Sequence, residues 1–210
     1  MRAVKISCMA IGTALLLAAL FLVLHNVAED RKGGEQAEAV LSWLEQEIPE
    51  YTPTETTLTA EQYDLYAPFE ERIPEMETIE RDGNAYIGYV TVPALDVVLP
   101  VQSTWSMEAL KTSPCRYAGN LYADDLVLCA HNYSSHFGRI HELQSGDDIL
   151  FTDAKGQVHP FRVVDVEQYP GTAVEDVTFG NADEWDLTLF TCTLDGQSRV
   201  TVRAEKNEDL

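Results

Sequence analysis

Three places in this 210-residue sequence put a chemically versatile side chain where a strand is expected to end. They are Leu128-Cys129-Ala130-His131-Asn132, Thr188-Leu189-Phe190-Thr191-Cys192-Thr193 and Ser198-Arg199-Val200-Thr201-Val202-Arg203. A cysteine is nucleophilic only as thiolate, and a nearby cation favours that form. The alternation along Leu187 to Cys192 breaks at Thr193, and Asp195-Gly196 is a turn signal, so Cys192 sits at a strand's exit. Arg199 follows seven residues later. If the chain turns at Asp195-Gly196, its guanidinium returns near the sulfur, where it can stabilise a thiolate, orient a carbonyl or support an oxyanion. The same spacing fits a buried cysteine beside a surface arginine equally well. His131 leaves its strand just before Asn132, where an imidazole can protonate a leaving amine and later deprotonate an incoming one. Taken alone, a histidine bonded to backbone is the more ordinary occupant. His136, His141 and His159 are read as structural, and His25 as a residue of the membrane edge.

The four cysteines are Cys8, Cys115, Cys129 and Cys192. Cys8 lies in an apolar run, and the remaining odd number leaves at least one thiol free or paired with another molecule. Cys115 and Cys129 also fit as small buried hydrophobes. A zinc site from Cys129, His131 and Cys192 lacks the paired close spacings of structural zinc centres, so no metal or cofactor is expected. A Cys129–Cys192 disulfide would remove the nucleophile.

The elements that must position these residues are short strands. Runs rich in β-branched and aromatic residues occur at 85–93, 95–101, 126–130, 148–152, 158–166, 185–190 and 200–204. Short helical turns are expected at 105–111 and 137–143. About eight short strands without a long amphipathic helix predict an all-β barrel or sandwich over residues 81–210.

Ahead of it, Arg2 and Lys5 precede Ile6 to Leu24, which carries no charge. At 1.5 Å per residue that run spans roughly 28 Å, the thickness of a bilayer core. The sequence after it, His25-Asn26-Val27-Ala28-Glu29-Asp30, makes a poor cleavage site, so 1–28 is read as an uncleaved transmembrane signal anchor. Basic residues before the span and acidic ones after it predict a cytoplasmic N-terminus and an exported domain. Residues 29–80 carry 15 acidic residues against Arg31, Lys32 and Arg72, and read as an acidic stalk with a short helix at 35–47 and an extended Thr- and Pro-rich linker at 51–59. The formal net charge of −21 argues against nucleic acid or anionic lipid as partner.

Together these motifs resemble the sortase family. Thr188-Leu189-Phe190-Thr191-Cys192 is similar to that family's Thr-Leu-x-Thr-Cys strand, Ser198-Arg199-Val200 to the strand that follows it, and Ala130-His131-Asn132 to its histidine motif. The strand pattern from about Tyr86 to Glu205, opening with Ile87-Gly88 through Pro100-Val101, agrees, as does the N-terminal anchor. The resemblance implies a sortase-type barrel of about eight strands and a cysteine transpeptidase. Such an enzyme would cleave a Leu-Pro-x-Thr-Gly-like sorting peptide of exported proteins and pass the acyl group, through a thioester, to an amine of peptidoglycan or a pilin. Carried over, Cys192 is the nucleophile, His131 the acid and base, Arg199 the carbonyl-orienting group and Thr191 a further substrate-binding and oxyanion-supporting residue. Arg203 receives no catalytic role. Ala130 stands where many members have Gly, and the short link from Cys192 to Arg199 lacks the longer loop of some classes. An L,D-transpeptidase is disfavoured because Ser-x-Gly-Cys-x-Arg is absent around Cys192. The rival from another class is a membrane-tethered, non-enzymatic binding module in which Cys192 is structural.

Overall fold

The computed structural model describes residues 2–51, 73–178 and 185–208. Its first element is one continuous helix, α1 (Arg2–Glu47). The apolar side chains of its first half, among them Leu15, Leu16, Phe21 and Leu22, are exposed. Further along, Ala37 and Leu44 are buried two turns apart on one face. Between them, Trp43 meets the edge of Tyr86 and lies under the Arg81 guanidinium, which donates to the Ala39 carbonyl at 3.1 Å. The helix ends just before Pro49, as expected of the residues preceding a proline. Residues 29–47, the beginning of the segment read as a stalk, are therefore helical, continuous with the apolar run and docked on the domain. The linker expected at 51–59 lies, from residue 52 on, outside the described residues.

The domain is all β. Its strands are β1 (Ile79–Arg81), β2 (Asn84–Val92), β3 (Val97–Gln102), β4 (Cys115–Ala118), β5 (Leu126–Cys129), β6 (Asp148–Asp153), β7 (Val158–Pro170), β8 (Leu187–Cys192) and β9 (Ser198–Lys206). They hydrogen-bond in the order β1-β2-β3-β4-β5-β8-β9-β7-β6, and β6 pairs back to β2. Strands β2 to β9 therefore close an eight-stranded barrel, with β1 added outside the ring. Closure leaves the ring without edges. It also requires close approach of β2 and β6 at Gly88, which has φ of +139° at a bulge; any β-carbon there would run into the Thr152 carbonyl.

Inward residues of β2, β3 and β5 to β9 fill the barrel, including Val90, Leu99, Leu128, Phe151, Phe161, Leu189 and Val202, all nearly or fully buried. Each such aliphatic or aromatic side chain contributes about 1.5–3 kcal/mol relative to exposure. Strand β5 is buried along its whole length and lies parallel to β8, which explains its unbroken apolar run. The expected helical turns near 105–111 and 137–143 are single 3₁₀ turns at Ala109–Lys111 and Ile140–Glu142. Strands β1 and β4, and the five-residue helix α2 (Val174–Thr178), carried no sequence expectation.

Candidate active site

Register brings the three motifs together. Strands β5 and β8 run parallel with Cys129 paired to Phe190, so two residues further on His131 and Cys192 leave the barrel at the same rim. The Ala130 N–H donates to the Phe190 carbonyl at 3.2 Å and the Thr191 hydroxyl to the Ala130 carbonyl at 2.9 Å, fixing the two strand ends to each other. Strands β8 and β9 are antiparallel with Cys192 directly opposite Arg199. The turn between them is tied by Asp195, whose carboxylate accepts from the Thr193 hydroxyl and the Gln197 N–H, while Gly196 adopts φ of +72°. The Arg199 Nη1 donates to the Gly196 and Ser198 carbonyls at 3.1 and 2.9 Å, which holds the guanidinium at the turn.

Cys192, His131 and Arg199 line one cavity of about 250 Å³, together with Thr191 and an apolar wall. Trp105 stacks on Tyr117 at 5.3 Å and Tyr117 meets Phe190 edge-on at 5.2 Å, making one side; Val174 and Val177 of α2 make another. A second, more open cavity of about 690 Å³ lies beyond the same sulfur, lined by Asn132, Arg139, His141, Thr191 and Asp195 among others. The thiol thus stands between an apolar hollow and a polar one. Cys192 is a free, partly exposed thiol, and Cys115 and Cys129 are free and buried. Burial pushes the Cys115 thiol up to about 12 and raises Cys129 further, so neither competes as a thiolate. Half-burial, and then the Lys111 charge, hold His131 below the usual histidine range, so its imidazole is neutral at physiological pH.

All four residues expected at the site meet there. Sequence reasoning did not find the wall. The local signal for it lay in Trp105 and Met107, apolar side chains left exposed after β3, while Tyr117 and Val177 reach the cavity through pairing and helix placement. Arg203 lies elsewhere. It is buried, donating to the Val177 carbonyl at 3.1 Å, to the Thr188 hydroxyl at 2.8 Å and to the Asp176 carbonyl, so it pins α2 and with it the cavity wall.

The sortase-domain family model matches residues 90–207, more than half of the chain. The chain belongs to the sortase family. The barrel is similar to that of a sortase D5 transpeptidase from Clostridium perfringens (20% identity, TM-score 0.51, covering 58% of this chain and 79% of that one). It is similar also to a sortase A from Actinomyces oris (22% identity, TM-score 0.52, 65% and 87%). A sortase C from Clostridium perfringens, solved with the C-terminal cell wall sorting motif, gives 18% identity and a TM-score of 0.50 over 88% of this chain and 90% of that one. No curated protein matches the chain significantly. At these identities the structural likenesses speak for the fold, and the family match for a sortase transpeptidase.

Proposed function

We propose that this sortase is a membrane-anchored cysteine transpeptidase that acts outside the cell on a sorting-signal peptide. The observation that carries the reading is the paired register: parallel β5–β8 sets His131 level with Cys192, and antiparallel β8–β9 sets Arg199 opposite it. In the proposed reaction the Cys192 thiol gives its proton to the neutral His131 imidazole as its sulfur attacks the carbonyl of the peptide's Thr, Arg199 holds the developing oxyanion, and the C–N bond breaks as His131 passes that proton to the departing amine. An acceptor amine then enters, gives its proton to His131 and displaces the sulfur from the thioester. The apolar hollow beneath Trp105 and Tyr117 suits the Leu-Pro end of such a peptide, and the polar hollow beyond the sulfur suits the acceptor side. Thr191, whose own proton is given to Ala130, serves the site by tying the two strand ends and by lining both hollows. That a similar sortase C was solved with a cell wall sorting motif supports the choice of substrate class.

The apolar half of α1 supports the anchor, since α1 is the one helix among the described residues long and apolar enough to cross a membrane. Arg2 and Lys5 ahead of it favour a cytoplasmic N-terminus. The test is turnover of a Leu-Pro-x-Thr-Gly peptide by the full chain in detergent micelles, with and without a primary amine. The amide-exchanged product should form and should vanish with Cys192→Ala, while undiminished turnover by that variant would sink the assignment. Iodoacetamide should label Cys192 in the folded protein and stop turnover; a thiol that is labelled without functional effect would favour a tethered binding module.

A further inference from the structure

The helix that carries the apolar run also reaches the turn behind His131. Asp30 of α1 accepts the Ser134 N–H at 3.0 Å and the Ser135 N–H at 3.1 Å, and its Oδ1 accepts the Ser135 hydroxyl at 2.6 Å. These N–H groups open a helical turn in which His136 and Gly138 donate to the Tyr133 carbonyl and Phe137 donates to the carbonyl of His131 itself. Asp30 therefore serves that turn as an N-cap does, but from a segment 104 residues away. One turn further along α1, Gly33 and Gly34 let the helix close on the same loop. A β-carbon on Gly33 would stand 3.0 Å from the Tyr133 ring, and one on Gly34 2.9 Å from Ser135 Cβ. The His131 ring rests on the Tyr133 ring at 4.9 Å, and Tyr133 rests on buried His136 at 5.3 Å.

From this chain of contacts we infer that Asp30 is a positioning residue for His131: by fixing the Ser134–Ser135 turn it holds Tyr133, and through it the imidazole, at the rim beside Cys192. The inference rests on His131 being the acid and base of the transfer. It makes the docked part of the anchor helix a component of the active site. The groups facing His131 from the surrounding elements are Lys111, His136 and Tyr133, with Cys192 and Arg199 across the cavity and Glu29 and Asp30 behind Tyr133.

The experiment uses the full chain in micelles, a sorting peptide and a primary amine, and compares wild type, Asp30→Ala, Asp30→Asn and His131→Ala. A misplaced imidazole should lower kcat about tenfold or more in Asp30→Ala with KM changed less than about twofold. Asp30→Asn, which keeps one accepting oxygen, should recover part of it. The acid limb of the pH–rate profile should move toward the ordinary histidine value as the loop loosens. An unchanged kcat and limb in both Asp30 variants, with His131→Ala inactive, would overturn the inference and leave the catalytic reading intact. So would a loss that is uniform across pH and tracks unfolding. Full activity in His131→Ala would instead defeat the catalytic reading on which the inference stands. If Asp30→Ala does not fold, Asp30→Asn alone decides by the same two readouts.

Discussion

Burial and then the Lys111 ammonium keep His131 neutral below the pH at which an ordinary histidine charges. A neutral base is the active form for taking the proton of the Cys192 thiol in the proposed reaction, so the acid limb of kcat/KM for the peptide should lie below pH 6.5. Replacing Lys111 with Gln removes the smaller of the two causes. The limb should move to higher pH, and a profile identical to wild type would show that His131 does not set it. At Arg199, Lys keeps the charge but loses the planar fork, one nitrogen of which holds both turn carbonyls and the rest of which the proposed reaction needs for a substrate oxygen. Arg199→Lys should therefore cost roughly 100-fold in kcat, read in the peptide–amine assay. Cys192 and Arg199 could be placed together from sequence because Asp195-Gly196 turns the chain between them. His131 joins them only through parallel pairing of β5 and β8, strands that lie about sixty residues apart, and no local pattern encodes that.

Among the elements, α1 and α2 shape the site without supplying its chemistry. Arg203 satisfies the Val177 and Asp176 carbonyls and the Thr188 hydroxyl from a buried position, so Arg203→Met should leave them unpaired. The expected loss is about 2–4 kcal/mol by urea unfolding, with a raised KM for the peptide as the Val174–Val177 wall loosens. Gly33→Leu should drive the α1 face against Tyr133 and the Lys111 carbonyl, costing about 1–3 kcal/mol and lowering kcat in the same step. Wild-type thermal stability in that variant would mean that the helix is not seated there. The periodicity at 35–47 was legible as helix, but not its continuity with the apolar run. Two adjacent glycines each weaken an isolated helix by about 1 kcal/mol, and only the close seat on the loop after His131 offsets that. Strands β1 and β4 escaped because three or four residues are too few for alternation to show; β4 also carries Arg116, whose side chain folds back to the Ser103 carbonyl.

For the whole molecule, a closed barrel and a docked helix combine so that the candidate site is tied to the helix that carries the apolar run. Asp30 follows Leu24, the end of the apolar run, by six residues, roughly 9 Å of helix rise, so under the proposed anchoring the rim that bears Cys192 would lie close to the membrane surface. The same interface makes stability pH-dependent. His136 is fully buried beneath Gly33, and burial above all pushes it down to about 4. Between pH 6.5 and about 4 the unfolded chain takes up a proton that the folded ring refuses, so stability is complete above that window and falls through it, by about 3 kcal/mol at most. His136→Leu should flatten this part of the curve. The carboxylates of Asp30 and Asp153, where hydrogen bonds outweigh burial and lower both, lose their contribution only at still more acid pH.

The central claim, that Cys192 carries an acyl group between two amines, is tested most directly by intact-mass measurement of the full chain mixed with a sorting peptide. Without an amine, one acyl fragment ending in the peptide's Thr should accumulate on Cys192, and adding a primary amine should discharge it with formation of the amide. A protein whose mass never changes during turnover, or an adduct that persists in Cys192→Ala, would contradict it.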